Sequence, residues 1–277
     1  MFNFLLAEVQ QLLIKRILAI EKCGYYDGVL LDGFFDHGLG IDGAHIWNAT
    51  RDEVIKVWLH VFQAVRAQAR DDFLIVINSN YTIPHLYAEY VNGAFMESVK
   101  DSPNGYSRDW LIEHEEVLVW AENNLRTPRV NCLYGEGMSI ESPDDPNNLR
   151  HMRLFTTLSL THSDGFVIYT DGQRDLGGPH HGHVWYDFWN ADLGQPVGDK
   201  GMIYKDTDGL FIREFTNGWA VYNRSGTAQQ IEFPEKVSSV TSGLTVANHA
   251  VLDLDGDMFL KVETKNPADM NGDGIVN

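Results

Sequence analysis

Only two cysteines, Cys23 and Cys132, occur in 277 residues. They form no C-x-x-C pair and no zinc spacing, which excludes a disulfide framework and a thiolate zinc site. The pair reads as two buried thiols or as a single disulfide, and the burial habit of free cysteine favours the thiols. Positive charge is also scarce: 21 Lys and Arg against 39 Asp and Glu leave a net charge of −18. Such a chain repels phosphate backbones and anionic lipid, so nucleic acid and acidic membranes are poor partners, while neutral or cationic ligands remain. No apolar run reaches the length of a membrane span, so no membrane insertion is expected. The opening segment, MFNFLLAEVQQLLIKRILAIEKCG, lacks a basic start and carries Glu8, Gln10 and Gln11 inside its apolar stretch, so it is not a signal peptide. Leu5, Val9, Leu12, Leu13, Ile17 and Ile20 recur there at helical spacing, which predicts an amphipathic helix with no strand before it.

What is present is an alternation of short apolar runs and amphipathic segments. GVLLD (28–32), FLIVINSN (73–80), GAFMES (93–98), RVNCLY (129–134) and GFVIYT (165–170) read as strands. Between them lie helical segments. One is capped by Thr50 with Glu53, one is a short helix around 84–91, one runs from a Ser107 cap through Leu125, and one is opened by Ser142 and Pro143. Continuously apolar strands alternating with helices mean a parallel sheet covered by helices. A doubly wound sheet gathers its ligand contacts at one switch point, whereas here strand after strand ends on a polar residue. The expectation is an α/β fold of the (β/α)8 TIM-barrel type lacking its N-terminal strands, with about β4 to β8 present; the alternative is a genuine smaller α/β sheet. From about residue 200 the pattern changes to a hairpin around Asn217-Gly218 and further short strands, with DGD (255–257) as a turn. The expected domains are therefore a partial barrel over 1–199, an antiparallel β-domain over 200–265 and a tail over 266–277.

The stretch GVLLDGFFDHGLG (28–40) ends its apolar run on Asp32. Glu97 ends GAFM in the same way. Two carboxylates at neighbouring rims are what hydrolysis of a glycosidic bond requires, one as acid and the other as nucleophile or base. We therefore take Asp32 as nucleophile or base and Glu97, which emerges from an apolar strand, as acid/base. The alternative for either is a simple turn or cap carboxylate. Glu136, read as lying in a loop after the fourth strand, is a reserve acid. Asp36, His37, Asn78, Asn80, Tyr134, Glu136 and Asp171 are candidates for binding sugar hydroxyls. GLGIDG (38–43) matches a dinucleotide pattern but opens no helix, which excludes that use. His180, His181 and His183 cluster without carboxylates at matched spacing, so they read as a loop in preference to a metal site. The tail residues Asp269, Asn271, Asp273 and Gly274 follow the opening of a calcium loop that stops before its bidentate acid. Catalysis needs no cofactor, and calcium would bind at the tail only if the loop were complete.

YYDGVLLDG, NGAFMES, SDGFVIYTD and WYDFWNADLGQPVGD with IREFTNGWAVYN together resemble the hypothetical glycosyl hydrolase family 15 group. More distantly they are similar to the endo-α-1,4-polygalactosaminidase barrels. The resemblance spans about residues 24–225. It implies a secreted or surface carbohydrate-active enzyme with Asp32 and Glu97 in the catalytic positions. The tail resembles the start of a dockerin repeat, which implies a cohesin-like partner. Two function classes are carried forward. One is a retaining glycosidase acting on a poly- or oligosaccharide, and the other is a non-catalytic carbohydrate-binding or scaffold-attached barrel protein. A third reading, a metal-dependent hydrolase built on the histidine loop, would show itself by loss of activity with a chelator.

Overall fold

The computed structural model describes residues 3–34, 48–102, 105–137, 142–170 and 184–262. The chain forms two compact units, Met1–Val184 and Trp185–Asn277. The first is a mixed α/β unit built on a five-stranded parallel sheet. Its elements are α1 (Ala7–Cys23), β1 (Gly28–Leu31), α2 (Arg51–Arg66), β2 (Leu74–Asn78), β3 (Gly93–Ser98), α3 (Arg108–Asn124), β4 (Cys132–Glu136), α4 (Pro146–His162) and β5 (Phe166–Thr170). A short 3-10 turn at His85–Tyr87 joins β2 to β3. The strands lie in chain order, β1-β2-β3-β4-β5, and every pair is parallel. A doubly wound sheet reverses its order at the centre; this one does not.

Local signals fix most helix ends. The Thr50 side chain accepts from the Glu53 N–H, and Glu53 reaches back to the Thr50 N–H at 2.7 Å, a capping box that starts α2. Ser107 accepts from Trp110 N at the head of α3. α4 differs from expectation: its cap is Asp145 and the proline in its first turn is Pro146, so Ser142 and Pro143 lie outside it. The carboxylate of Asp145 accepts from Asn147 N at 2.9 Å, and Pro146 needs no donor at that position. α1 also differs. Its buried residues are Ile14, Ile17 and Leu18, whereas Leu12 and Ile20 of the expected stripe are exposed. The helix is apolar on more than one side, so spacing alone did not select the packed face. Gly24, with φ +71°, ends it in the left-handed region.

The two faces of the sheet are unequal. Residues of one parity, Ile75, Ile77, Ala94, Met96, Leu133 and Tyr169, are fully buried, and Phe155 of α4 presses on Gly135 in the same layer. The ladder register puts Leu30, Val76, Phe95, Cys132, Phe166 and Ile168 on the opposite face. There Leu30 is 51% and Phe166 64% exposed. At the N-terminal ends of the strands, side-chain amides complete the hydrogen bonding. Asn92 accepts from Ile75 N at 3.0 Å and Asn131 from Ala94 N at 2.9 Å. Asn131 occupies the position where the sequence suggested strand, which is one reason β4 starts at Cys132 and not at Arg129. Both cysteines are free. Cys23 is exposed, contrary to the buried-thiol reading, because it lies at the solvent side of the last turn of α1.

The second unit holds an antiparallel sheet in the order β6-β7-β10-β8-β9, with β6 (Leu210–Phe215), β7 (Gly218–Asn223), β8 (Gln229–Ser239), β9 (Thr245–Val251) and β10 (Asp255–Lys261). Leu210, Trp219, Val221, Ile231 and Phe259 form its core. The loop of the β6–β7 hairpin is Thr216-Asn217, since Phe215 pairs with Gly218. Gly218 is needed for close approach, because a Cβ there would sit 2.0 Å from the Phe259 carbonyl oxygen. Asp255, Gly256 and Asp257 are not a turn but pair with Asn223, Tyr222 and Val221. The turn falls one step earlier, where Leu254 takes φ +51°. The segment 185–209 joins this sheet, with Asn217 N donating to Leu193 O and Val197 N to Glu214 O.

Candidate active site

The C-terminal ends of β1 to β5 carry the polar residues. Register and the two-residue period of a strand put Asp32, Asn78, Glu97, Tyr134, Glu136 and Thr170 on the face that carries Leu30 and Phe166. Asp32 follows the last residue of β1 and is exposed. Gly33 takes φ +83°, which suits glycine, and its N–H donates to Asp32 Oδ1 at 2.8 Å. Phe34 then anchors the chain. Its N–H donates to Asn78 O at 2.9 Å, and its ring is buried against Trp58, Phe62 and Tyr87.

Asn78 joins the two candidate acids. Its Nδ2 donates to Asp32 Oδ1 at 2.9 Å and to Glu97 Oε2 at 2.9 Å. Its Oδ1 accepts from Asn80 N at 3.1 Å, which fixes the amide's orientation. Two acceptors on one nitrogen cannot lie further apart than twice 2.9 Å. Asn78 is 4% exposed, Glu97 is half-buried, and Asp32 opens to solvent. Three residues separated by 46 and 19 positions in sequence thus meet at one point.

The neighbouring rim holds a second group. Glu136 is the last residue of β4, where the sequence suggested a loop, because β4 extends two residues further than its apolar run. The Tyr106 hydroxyl donates to Glu136 O at 2.7 Å and accepts from Glu136 N at 2.8 Å, which pins that strand end. Burial holds the Tyr106 phenol well above its ordinary pKa, so it stays protonated and able to donate. Lys100 Nζ lies 3.7 Å from Glu136 Oε2 and donates to the Gly137 carbonyl. Lys100 and Tyr106 were missed in the sequence. Neither falls at a strand end, and the hydrogen bonds that bring Tyr106 to Glu136 span 30 residues.

Among the other residues chosen from sequence, Tyr134 is buried against Phe95, with its hydroxyl 3.2 Å from Thr170 Oγ1. Asn80 sits in the left-handed region at φ +48°, and its buried side-chain oxygen has no hydrogen-bond partner among the described residues. Asp36, His37, Asp171, Asp269, Asn271 and Asp273 lie outside the described residues, as do His180, His181 and His183.

Carboxylates grouped at the C-terminal ends of parallel strands can serve acid–base and nucleophilic chemistry, the hydrolysis of a glycosidic bond included. The model of the Hypothetical glycosyl hydrolase family 15 matches residues 1–219, and the chain belongs to that family. The match ends before the tail at 266–277. One solved structure, described as "Glycoside hydrolase", aligns with a TM-score of 0.40 at 13% identity, covering 78% of this chain and 63% of its own. No curated protein matches the chain. No helix among the described residues is long and apolar enough to cross a membrane.

Proposed function

We propose that this chain is a retaining glycosidase acting on a poly- or oligosaccharide, with Asp32 as nucleophile and Glu97 as acid/base. The five-stranded sheet is then one part of the wall of a (β/α)8-type barrel. Its strictly sequential strand order and its one face buried along the central strands support that reading.

The observation that carries the proposal is the shared donor. Asp32 and Glu97 both accept from Asn78 Nδ2, so the oxygens that face it, Oδ1 and Oε2, lie no further apart than twice 2.9 Å, and the close pairing favours the shorter of two carboxyl spacings. Carboxyl groups about 5–5.5 Å apart suit a double displacement, and a separation of about 6.5–9.5 Å suits a single displacement by water. In the first step Asp32 attacks the anomeric carbon, the bond from that carbon to the leaving oxygen breaks, and Glu97 gives its proton to that oxygen. In the second, water attacks the same carbon, Glu97 takes a proton from the water, and the bond to Asp32 breaks. The net charge of −18 favours neutral or cationic sugars over acidic ones.

The test is Asp32→Asn assayed on a panel of 4-nitrophenyl glycosides and oligosaccharides. Turnover falls by at least about 10³-fold while the thermal midpoint stays within about 2 °C of wild type. Sugar affinity without turnover in the wild type, insensitive to Asp32 and Glu97, would instead mark a binding protein.

A further inference from the structure

We propose that Asn78 is a positioning residue that selects which oxygen of each acid reacts, and this rests on the glycosidase reading above. The sequence placed Asn78 among the sugar ligands. In the structure its amide is already engaged. Both Nδ2 hydrogens go to carboxylates, Oδ1 accepts from Asn80 N, and the side chain is 4% exposed. A sugar hydroxyl would have to displace one of these bonds.

The consequence differs for the two acids. Asp32 Oδ1 accepts two hydrogen bonds, from Gly33 N at 2.8 Å and from Asn78 Nδ2 at 2.9 Å. Electron density on that oxygen is drawn toward the two donors. Oδ2 is the oxygen that neither of these donors holds, and it is assigned the attack. On Glu97, Oε2 faces an NH2 group that can only donate. A proton on Oε2 would collide with that donor, so the proton given to the leaving group sits on Oε1. One amide thereby orders the nucleophilic oxygen and the acidic oxygen together. It also holds the acids at a spacing that neither strand sets alone, since the bonds tie the ends of β1, β2 and β3 to one another.

The residue type follows from this. Aspartate at 78 has the same shape and, when ionised, no donor. Leucine has a similar branched outline, a larger volume and no polar atom. Serine offers one donor, enough for one of the two contacts.

Two measurements test the inference. The first compares crystal structures of the wild type and Asn78→Leu. The expected result is that at least one of the two carboxyl groups leaves its wild-type rotamer. Carboxyl oxygens that stay within about 0.5 Å of their wild-type positions overturn the proposal. The second uses whichever 4-nitrophenyl glycoside the wild type hydrolyses best. Asn78→Leu is expected to lower kcat by about 10²-fold with KM within about threefold, and Asn78→Ser to recover part of the loss. A kcat within about threefold of wild type overturns the positioning role, and a rise in KM with kcat unchanged returns Asn78 to the sugar ligands. If the wild type hydrolyses nothing in the panel, the glycosidase reading fails, and the crystal comparison alone decides for or against Asn78.

Discussion

Replacing Asn131 by alanine removes no catalytic group, yet it is expected to be among the most damaging single changes in the first unit. Asn131 is fully buried. Its Oδ1 accepts from Ala94 N at 2.9 Å, and its Nδ2 donates to Glu122 Oε1 at 2.6 Å. Ser163 Oγ also donates to that carboxylate, at 2.7 Å. Truncation strands the buried Ala94 N–H at a cost of about 1–3 kcal/mol, and loss of the charge-assisted bond adds about 1.5–3 kcal/mol. The two effects share one site, so about 3–5 kcal/mol is a reasonable total. Native stability is itself only about 5–15 kcal/mol. For a unit of this size each kcal/mol moves the midpoint by about 2–4 °C, so Asn131→Ala should melt about 6–20 °C below wild type. Differential scanning calorimetry or circular dichroism reads the shift directly. Asn131→Asp separates the terms: it keeps an acceptor for Ala94 but removes the donor and sets a second carboxylate against Glu122. The exposed Asn123, whose amide donates only to Val119 O, is the control, and its alanine variant should stay within about 0.5 kcal/mol. An Asn131→Ala midpoint within about 2 °C of wild type would refute the idea that side-chain amides hold the strand starts.

Two further outcomes follow from buried titratable groups. Burial pushes His114 down to about 3 and His151 down to about 4. Both are neutral in the folded chain but take up a proton in the unfolded chain below about pH 6.5, so the stability present above that pH is lost as the pH falls towards about 4. The loss is up to about 1.4 kcal/mol per pH unit for each histidine. Urea unfolding across that range should show it, and His114→Gln should flatten the slope; an unchanged slope argues against the assignment. Burial also pushes the Cys132 thiol up to about 12, whereas Cys23 is exposed. At pH 8 a disulfide-exchange reagent such as DTNB should titrate Cys23 alone in the native chain and both thiols after denaturation, and two fast native thiols would contradict the structure.

Strand and helix positions were legible where the signal was local. GAFMES became β3 without adjustment, and the Thr50–Glu53 box and the Ser107 cap are set by residues three apart. Misreadings arose where a distant partner decided. Asn131 gives its side chain to Ala94, and β4 begins after it and runs on to Glu136. Gly218 looked like a turn glycine but is a strand residue facing the Phe259 backbone. The cap of α4 was misread for a local reason instead: the Asp145 carboxylate reaches Asn147 N, two residues on, and Ser142 lies outside the helix. The candidate site was legible as single residues, since Asp32 and Glu97 each end an apolar run. Its wiring was not, because nothing in the residue pattern of β2 says that Asn78 will spend both amide hydrogens on its neighbours.

The most direct test of the central claim is the configuration of the first product, followed by proton NMR during early turnover of a glycoside the wild type cleaves. The Asp32–Glu97 pair on one shared donor predicts a product of the same anomeric configuration as the substrate. A first product of inverted configuration would contradict a double displacement at this pair.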